Sequence, residues 1–276
     1  VNADSKEIIY VAKTYIDYPT NKEVSGNIVV EGWIMANDES SKVKAYIDGK
    51  EKEILSQTRM ERNDVLQAIK GYGTKKENPL PGIKIVLSSE DISIGKHNLK
   101  LEVISRDNKV IGETNSNFEY GNERVMLYVD TRFDDNKIYD NYKIEGWAMS
   151  NDANSKIKIY IDNQEQNMEI LTRKERGDVI NAIKGYGTKV ENPLPGFVYY
   201  LNCENINDGK HSLKIEVVSE NGKKLAQYTK DIIVEKYKAK SYIDYPSNST
   251  FSGNFELEGW VMSNDEKATY KILIDG

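Results

Sequence analysis

Apolar and polar residues alternate along much of this chain with a period of two, the signature of half-buried strands. From Asn27 to Met35 one face carries Ile28, Val30, Gly32 and Ile34. That face returns as Tyr142, Ile144, Gly146 and Ala148, and again as Phe255, Leu257, Gly259 and Val261. The run from Lys42 to Asp48 sets Val43, Ala45 and Ile47 against Lys42, Lys44 and Tyr46; its later copy sets Ile157, Ile159 and Ile161 against Lys156, Lys158 and Tyr160. The link Asn37-Asp38-Glu39-Ser40-Ser41 between the two runs predicts a hairpin turn. Further on, His97, Leu99, Leu101 and Val103 share an inward face, with Asn98, Lys100 and Glu102 opposite. Shorter strands near Thr14–Asp17, Ile83–Leu87 and Asn117–Tyr120 bring the total to about seven in roughly 110 residues, the pattern of an immunoglobulin-like sandwich. One stretch breaks the alternation: Asp64 to Gly71 starts on a good N-cap, ends on glycine, and sets Val65 and Ile69 on one helical face, predicting a short helix. Asp178 to Gly185 repeats that design.

The copies make the organisation plain. Gly32-Trp33 recurs as Gly146-Trp147 and Gly259-Trp260, Arg62 as Arg176, and His97 as His211. Gly71-Tyr72-Gly73-Thr74 recurs as Gly185-Tyr186-Gly187-Thr188, and Asn78-Pro79-Leu80-Pro81-Gly82 as Asn192-Pro193-Leu194-Pro195-Gly196. A fixed interval of this kind marks tandem units. The expected division is a leader or last strand of a preceding unit at 1–12, one Ig-like unit at 13–126, a second at 127–239, and a partial third at 240–276. Val1-Asn2-Ala3 reads either as the edge of a window cut from a longer array or as a signal-peptide remnant, small residues standing where a cleavage site has them. The partial third unit, if ordered, is expected to need a partner for its apolar faces and open edges: the second unit, a neighbouring molecule, or the N-terminal strand of another copy.

Composition narrows the function classes. The chain has 276 residues and a net charge of −6. An acidic balance argues against nucleic acid, which calls for clustered basic charge. No apolar run approaches the ~20 residues of a spanning helix. One cysteine, Cys203, allows no internal disulfide, and two histidines leave little for zinc or imidazole catalysis. Lys far outnumbers Arg, and Asn, Ile and Tyr are abundant, the usage of a low-GC genome.

Four constellations recur, each with two readings. Trp33, Trp147 and Trp260 stand out of phase with the core face. They are either sugar-stacking platforms, with Tyr72 and Tyr186 beside them, or indoles covered by the inserted helix and its Gly-Tyr-Gly loop. Arg62-x-Asp64-Val65 and Arg176-x-Asp178-Val179 form either an anion or sugar clamp, or a helix cap with its ion partner. Asp38, Asp152 and Asp265, each after an Asn, offer oxygens to a calcium ion, yet lack the dense Asp/Asn/Gly alternation of a wrapping loop; Asn and Asp are also ordinary turn residues. His97 and His211 read as strand-start histidines with satisfied hydrogen bonds. Among 44 acidic residues nothing singles out a catalytic carboxylate pair. Cys203 aligns with Ser89, so the repeat has no use for a thiol, and the sequon Asn248-Ser249-Thr250 does not recur.

The ordered series Ile-Asp-Tyr-Pro, Gly-Trp-x-Met-(Ser/Ala)-Asn-Asp, Ile-Asp-Gly, Arg-x-Asp-Val, Pro-Gly-(Phe/Ile) and Gly-Lys-His-x-Leu-Lys resembles the Ig-like repeats of secreted clostridial-type Gram-positive proteins. Such repeats accompany cell-wall hydrolases (glucosaminidases, amidases, lysozyme-type enzymes) and large surface proteins. The resemblance covers nearly the whole chain, departing where those repeats often read Arg-Pro-Asp-Val: Asn63 and Gly177 stand in place of Pro. It implies a secreted, cell-surface or cell-wall accessory region without catalysis of its own and without a cofactor. The expectation is therefore an all-β tandem Ig-like array acting as spacer or adhesive module. The alternative is a carbohydrate-binding module using Trp and Tyr, with wall or host glycan as partner and weak sites made useful by repetition.

Overall fold

A computed structural model describes residues 8–247 and 250–274. The cleavage-site reading of Val1–Ala3, the first residues of the expected leader, the sequon residues Asn248 and Ser249, and the closing Asp275-Gly276 lie outside the described residues.

The first unit is built from β1 (Ala12–Tyr18), β2 (Glu23–Val24), β3 (Ile28–Ala36), β4 (Lys42–Ile47), β5 (Lys50–Glu51), β6 (Ile54–Met60), α1 (Asn63–Ala68), β7 (Gly82–Leu87), β8 (Gly95–Ile104) and β9 (Val110–Tyr120). Its sheets run β1-β3-β7-β6 and β2-β9-β8-β4-β5. Leaving aside the short β2 and β5, this is four strands facing three, with the chain order of an immunoglobulin constant-type sandwich. All pairings are antiparallel except β2 with β9, where the chain has crossed from one sheet to the other.

The alternation dictates the core. Ile28, Val30 and Ile34 of β3 meet Leu99, Leu101 and Val103 of β8 and Ala45 and Ile47 of β4, all buried. At ~25 cal/mol per Å² of apolar surface, each such side chain contributes roughly 1.5–3 kcal/mol. Gly32 is dictated by approach: a Cβ there would run into the Tyr15 carbonyl, just where the register of β1 shifts between Ile16 and Tyr18. Gly146 and Gly259 face the carbonyls of Tyr128 and Tyr242 in the same way.

The second unit repeats the plan with β10 (Val125–Val129), β11 (Lys137–Ile138), β12 (Asn141–Ser150), β13 (Lys156–Ile161), β14 (Gln164–Glu165), β15 (Thr172–Lys174), α2 (Gly177–Ala182), β16 (Gly196–Asn202), β17 (Gly209–Val218) and β18 (Lys224–Val234). Its sheets are β10-β12-β16-β15 and β11-β18-β17-β13-β14, closed over Ile144, Ile159, Phe197, Leu213 and Ile215. In the partial third unit, β19 (Ala239–Tyr245) pairs antiparallel with β20 (Glu258–Ser263), and both strands are exposed along their whole length. The chain is all-β: tandem immunoglobulin-like sandwiches, each complete unit carrying one short helix.

Two local expectations are corrected. Asp64 does not cap α1: the N-cap position is Arg62, no side chain caps it, and Asp64 lies in the first turn. The helix also stops at Ala68, because Ile69 turns extended before Gly71 is reached. The corresponding helix of the second unit, α2, behaves identically around Arg176 and Ile183.

Candidate functional site

The recurrent residues gather on the outer face of the β1-β3-β7-β6 sheet and its copy. Trp33 and Met35 point away from the sandwich core, and α1 lies across them. Trp33, Met35 and Val65 form a small second core, closed by Leu66, Ile69 and Tyr72. Trp147, Met149 and Val179 do the same with Ile180, Ile183 and Tyr186. Only 9% of Trp33 and 8% of Trp147 remain exposed, so neither indole face is open to a sugar. Trp260 is 40% exposed on β20.

What lies open beside each indole is a tyrosine. Tyr15 stands opposite Trp33 in the β1–β3 register, with its ring stacked on the indole at 6.3 Å. Tyr128 stacks on Trp147 at 5.8 Å, and Tyr242 on Trp260 at 6.3 Å. Tyr15 is 51% and Tyr128 58% exposed. Pattern reading missed these residues, although a polar-face aromatic recurring next to each Gly-Trp partner strand was the available signal.

Arg62 is occupied. Its Nε donates to Asp64 Oδ1 at 2.9 Å, one terminal nitrogen donates to Asp64 Oδ2 at 2.8 Å, and the other reaches Asp17 Oδ2 on β1 at 2.9 Å. Arg176 repeats this with Asp178 and Asp130. The guanidinium hydrogen bonds hold Asp64 and Asp178 below the usual carboxylate range, and the carboxylates raise both arginines. The device ties the start of the helix to the edge strand, and leaves no unshared fork for an anion.

Asn78 is the hub of the Gly/Pro-rich loop. Buried, it accepts from the Ala36 N–H at 2.8 Å and donates to the carbonyls of Ala36, Tyr72 and Thr74 at 2.9–3.1 Å. Asn192 does the same for Ser150, Tyr186 and Thr188. The Asn-Pro-Leu-Pro-Gly repeat thus exists to fasten the loop over the tryptophan.

The turn residues hold the linkers. Asn37 accepts from Val11 N–H at 2.8 Å and donates to the Ile9 carbonyl at 2.9 Å. Asn151 holds Arg124 and Asn122 identically, and Asn264 holds Lys238 and Lys236. Asp38 caps its own turn through Ser40 N–H and binds Arg106, whose Nε lies 2.8 Å away. Burial would raise the Asp38 carboxyl, but the Arg106 hydrogen bonds outweigh it and lower it. Asp152 and Asp265 accept the turn N–H groups of Asn154 and Lys267. Among the described residues no group of three or more His, Cys, Asp or Glu side chains is placed to hold a metal ion.

Each histidine has both ring nitrogens engaged. His97 Nδ1 lies 2.6 Å from Asp48 Oδ2, and Nε2 lies 2.7 Å from the Ser93 carbonyl. His211 sits the same way between Asp162 and the Asn207 carbonyl. Two acceptors favour the imidazolium, which donates from both nitrogens. Burial pulls His97 down, yet Asp48 and the Ser93 carbonyl raise it on balance; at His211 the Asp162 hydrogen bond leads. A ring fixed at both ends has no free nitrogen to serve as a general base. Cys203 is free and buried, and burial pushes its thiol up to about 11, far from a reactive thiolate.

No protein-family model matches the chain, and no curated protein matches it in sequence. Among solved structures it is similar to the fibronectin(III)-like modules of CbhA from Clostridium thermocellum, at 12% identity and a TM-score of 0.26, over 81% of this chain and 94% of that one. It is also similar to SGBP-B of the Bacteroides ovatus mixed-linkage glucan utilization locus, solved with a mixed-linkage heptasaccharide: 10% identity, TM-score 0.24, over 88% of this chain and 50% of that one. The I9–I11 tandem from titin matches at 10% identity and a TM-score of 0.28, over 83% and 69% of the two chains.

Proposed function

We propose that this chain is a non-catalytic accessory region of a bacterial surface or cell-wall-associated protein, a tandem spacer that sets distance and orientation. The observation that carries this reading is the use of the recurrent polar side chains. Arg62, Asp64, Asn78, Asn37, Asp48 and His97 all bind the chain's own backbone or side chains, and the equivalents in the second unit do likewise. Residues held this way build a rigid body, not a reactive centre. The proposed division is that of the repeats: 1–12, 13–126, 127–239 and 240–276. Secretion belongs to the same reading, and a wall or host glycan as partner to the second reading below; among the described residues no helix is long and apolar enough to cross a membrane.

The test is sedimentation of the chain with insoluble peptidoglycan, together with assay of released fragments. A spacer stays in the supernatant and releases nothing. Release of soluble wall fragments would end the non-catalytic reading.

A second reading, glycan binding, is favoured by one observation: the half-exposed tyrosines Tyr15 and Tyr128, each braced from behind by an indole. A braced ring loses little freedom on stacking against a pyranose. On this reading, saturable binding to wall glycan falls about tenfold or more in Tyr15→Ala/Tyr128→Ala, a loss of ~1.4 kcal/mol.

A further inference from the structure

The first two units meet through direct hydrogen bonds and packing. Ser25 N–H donates to the Asn151 carbonyl at 3.3 Å, and Ser25 Oγ to Asn151 Oδ1 at 2.8 Å. Asn154 Nδ2 donates to the Asn27 carbonyl at 3.2 Å. The Asn27 side chain accepts from Ser89 of its own unit and donates across to Glu220. Gly26, at φ +64°, lies against the Asp152 carboxylate, and any Cβ there would collide with it. Arg124, at the end of the first unit, pairs with Glu23 at 2.9 Å and donates from Nε to the Gly185 carbonyl of the second at 2.8 Å. Val190, on the second unit's loop, packs against the first unit's core. Ser25, Asn151 and Asp152 are buried.

Asn27, Asn151 and Asp152 recur in the other repeats, but comparison of the repeats shows that the remaining residues differ at this junction. On the receiving side, Ser25-Gly26 is replaced in the second unit by Tyr139-Asp140, and Ser89 by Cys203. On the inserting side, Asn154 corresponds to Ser40 in the first unit and Lys267 in the third, Val190 to Lys76, and Glu220 to Arg106. Arg106 in the first unit binds its own Asp38; Glu220 releases Asp152 from that duty and reaches Asn27 instead. Glu77 is half-buried in the first unit, whereas its counterpart Glu191, beside Val190, is buried. At the second junction Tyr139 turns to the linker, stacking on Tyr237 at 5.1 Å. Among the described residues no hydrogen bond joins 137–141 to the turn at 264–267.

We propose that Ser25-Gly26-Asn27 is a docking socket whose partner is the Asn151–Asn154 turn and Val190 loop of the following unit, and that it locks the first two units into one rigid body. The second junction has Tyr139-Asp140 in place of Ser25-Gly26 and Lys267 in place of Asn154, and is held through its linker. This deepens the spacer reading by naming where the spacer is stiff. Its failure would leave that reading intact, because a flexible tether also releases no wall fragments and binds none.

The experiment is a distance distribution by pulsed electron paramagnetic resonance on the full chain. Spin labels replace the exposed Lys50 and Gln164, in a Cys203→Ser background that copies Ser89. Two variants borrow residues from the sibling repeats, which fold with them: Ser25→Tyr/Gly26→Asp and Val190→Lys. The expected result is a single narrow distribution in the parent, widened about twofold or more in each variant, as for domains released from a fixed interface. Thermal unfolding of the two sandwiches stays in place in both. A parent distribution already broad, or one that either variant leaves narrow, would overturn the proposal.

Discussion

At the scale of single residues, the buried asparagines and the paired histidines carry the sharpest expectations. Asn78 satisfies four backbone groups that no other side chain reaches. Asn78→Ala takes this partner from the N–H and carbonyl of buried Ala36, and about 2–4 kcal/mol of stability is expected to go, measured as a fall in urea midpoint at unchanged slope. The histidines predict a pH dependence whose sign is fixed. His97 and His211 titrate higher folded than unfolded, so their contribution is complete below about 6.5 and is lost as pH rises through the folded value. Asp48 and Asp162 are lowered, chiefly by the N–H groups of Asn98 and Ser212 and then by the histidines, so their contribution is lost at the acid end as pH falls through the folded value. The pairs therefore stabilise most between about pH 4 and 6.5. In His97→Gln/His211→Gln, the decline of thermal midpoint from pH 6 to pH 9 should flatten; an unchanged slope would show that the rings do not titrate in this range. The sequence named both histidines and foresaw satisfied bonds, but not their partner: Asp48 lies 49 positions away and meets His97 only because β4 pairs with β8.

Elements were legible to the degree that one of their faces is buried. β3, β4, β8 and their copies read directly, because core and surface alternate along them. β6 was not legible: it is an edge strand, exposed over most of its length, and its residues Ser56, Gln57 and Thr58 show no apolar stripe. β2 and β5, at two residues each, are too short for any period to show. The short helix was placed correctly but its start was misread, since Asp64 resembles a cap by type while its side chain is drawn to Arg62. The packing of α1 on Trp33 makes a prediction of its own. Trp33→Ala should cost about 3–5 kcal/mol, the range for large-to-small changes in a core. Acrylamide should quench the parent's fluorescence in two populations, Trp33 and Trp147 protected and Trp260 accessible. Uniform strong quenching would mean that the helices do not cover their indoles.

The whole molecule was the scale least visible in the sequence. Repetition announced tandem units, but the junction between them is written in the differences among repeats, at Gly26, Asn154, Val190 and Glu220. A difference at one position looks like drift until the fold brings the four together. The exposed β19–β20 pair carries the last expectation at this scale. Ile243, Val261 and Trp260 stand open, whereas their counterparts Ile16, Ile34 and Trp33 are covered by a completed unit. Exchange of the β19–β20 amides with deuterium should accordingly be orders of magnitude faster than that of β8 or β17, which lie in the middle of their sheets.

The parallel pairing of β2 with β9 has a mechanical meaning. Tension along the array enters a unit through the linker before β1 and leaves through the end of β9. It therefore pulls these two strands past each other along their length. The bonds Asn21 N–H to Asn117, Glu119 N–H to Lys22 and Gly121 N–H to Val24 lie across that direction and must be sheared together, not peeled one at a time. If the chain is the spacer proposed above, hydrogen bonds loaded together in this way would let each sandwich bear tension along the array.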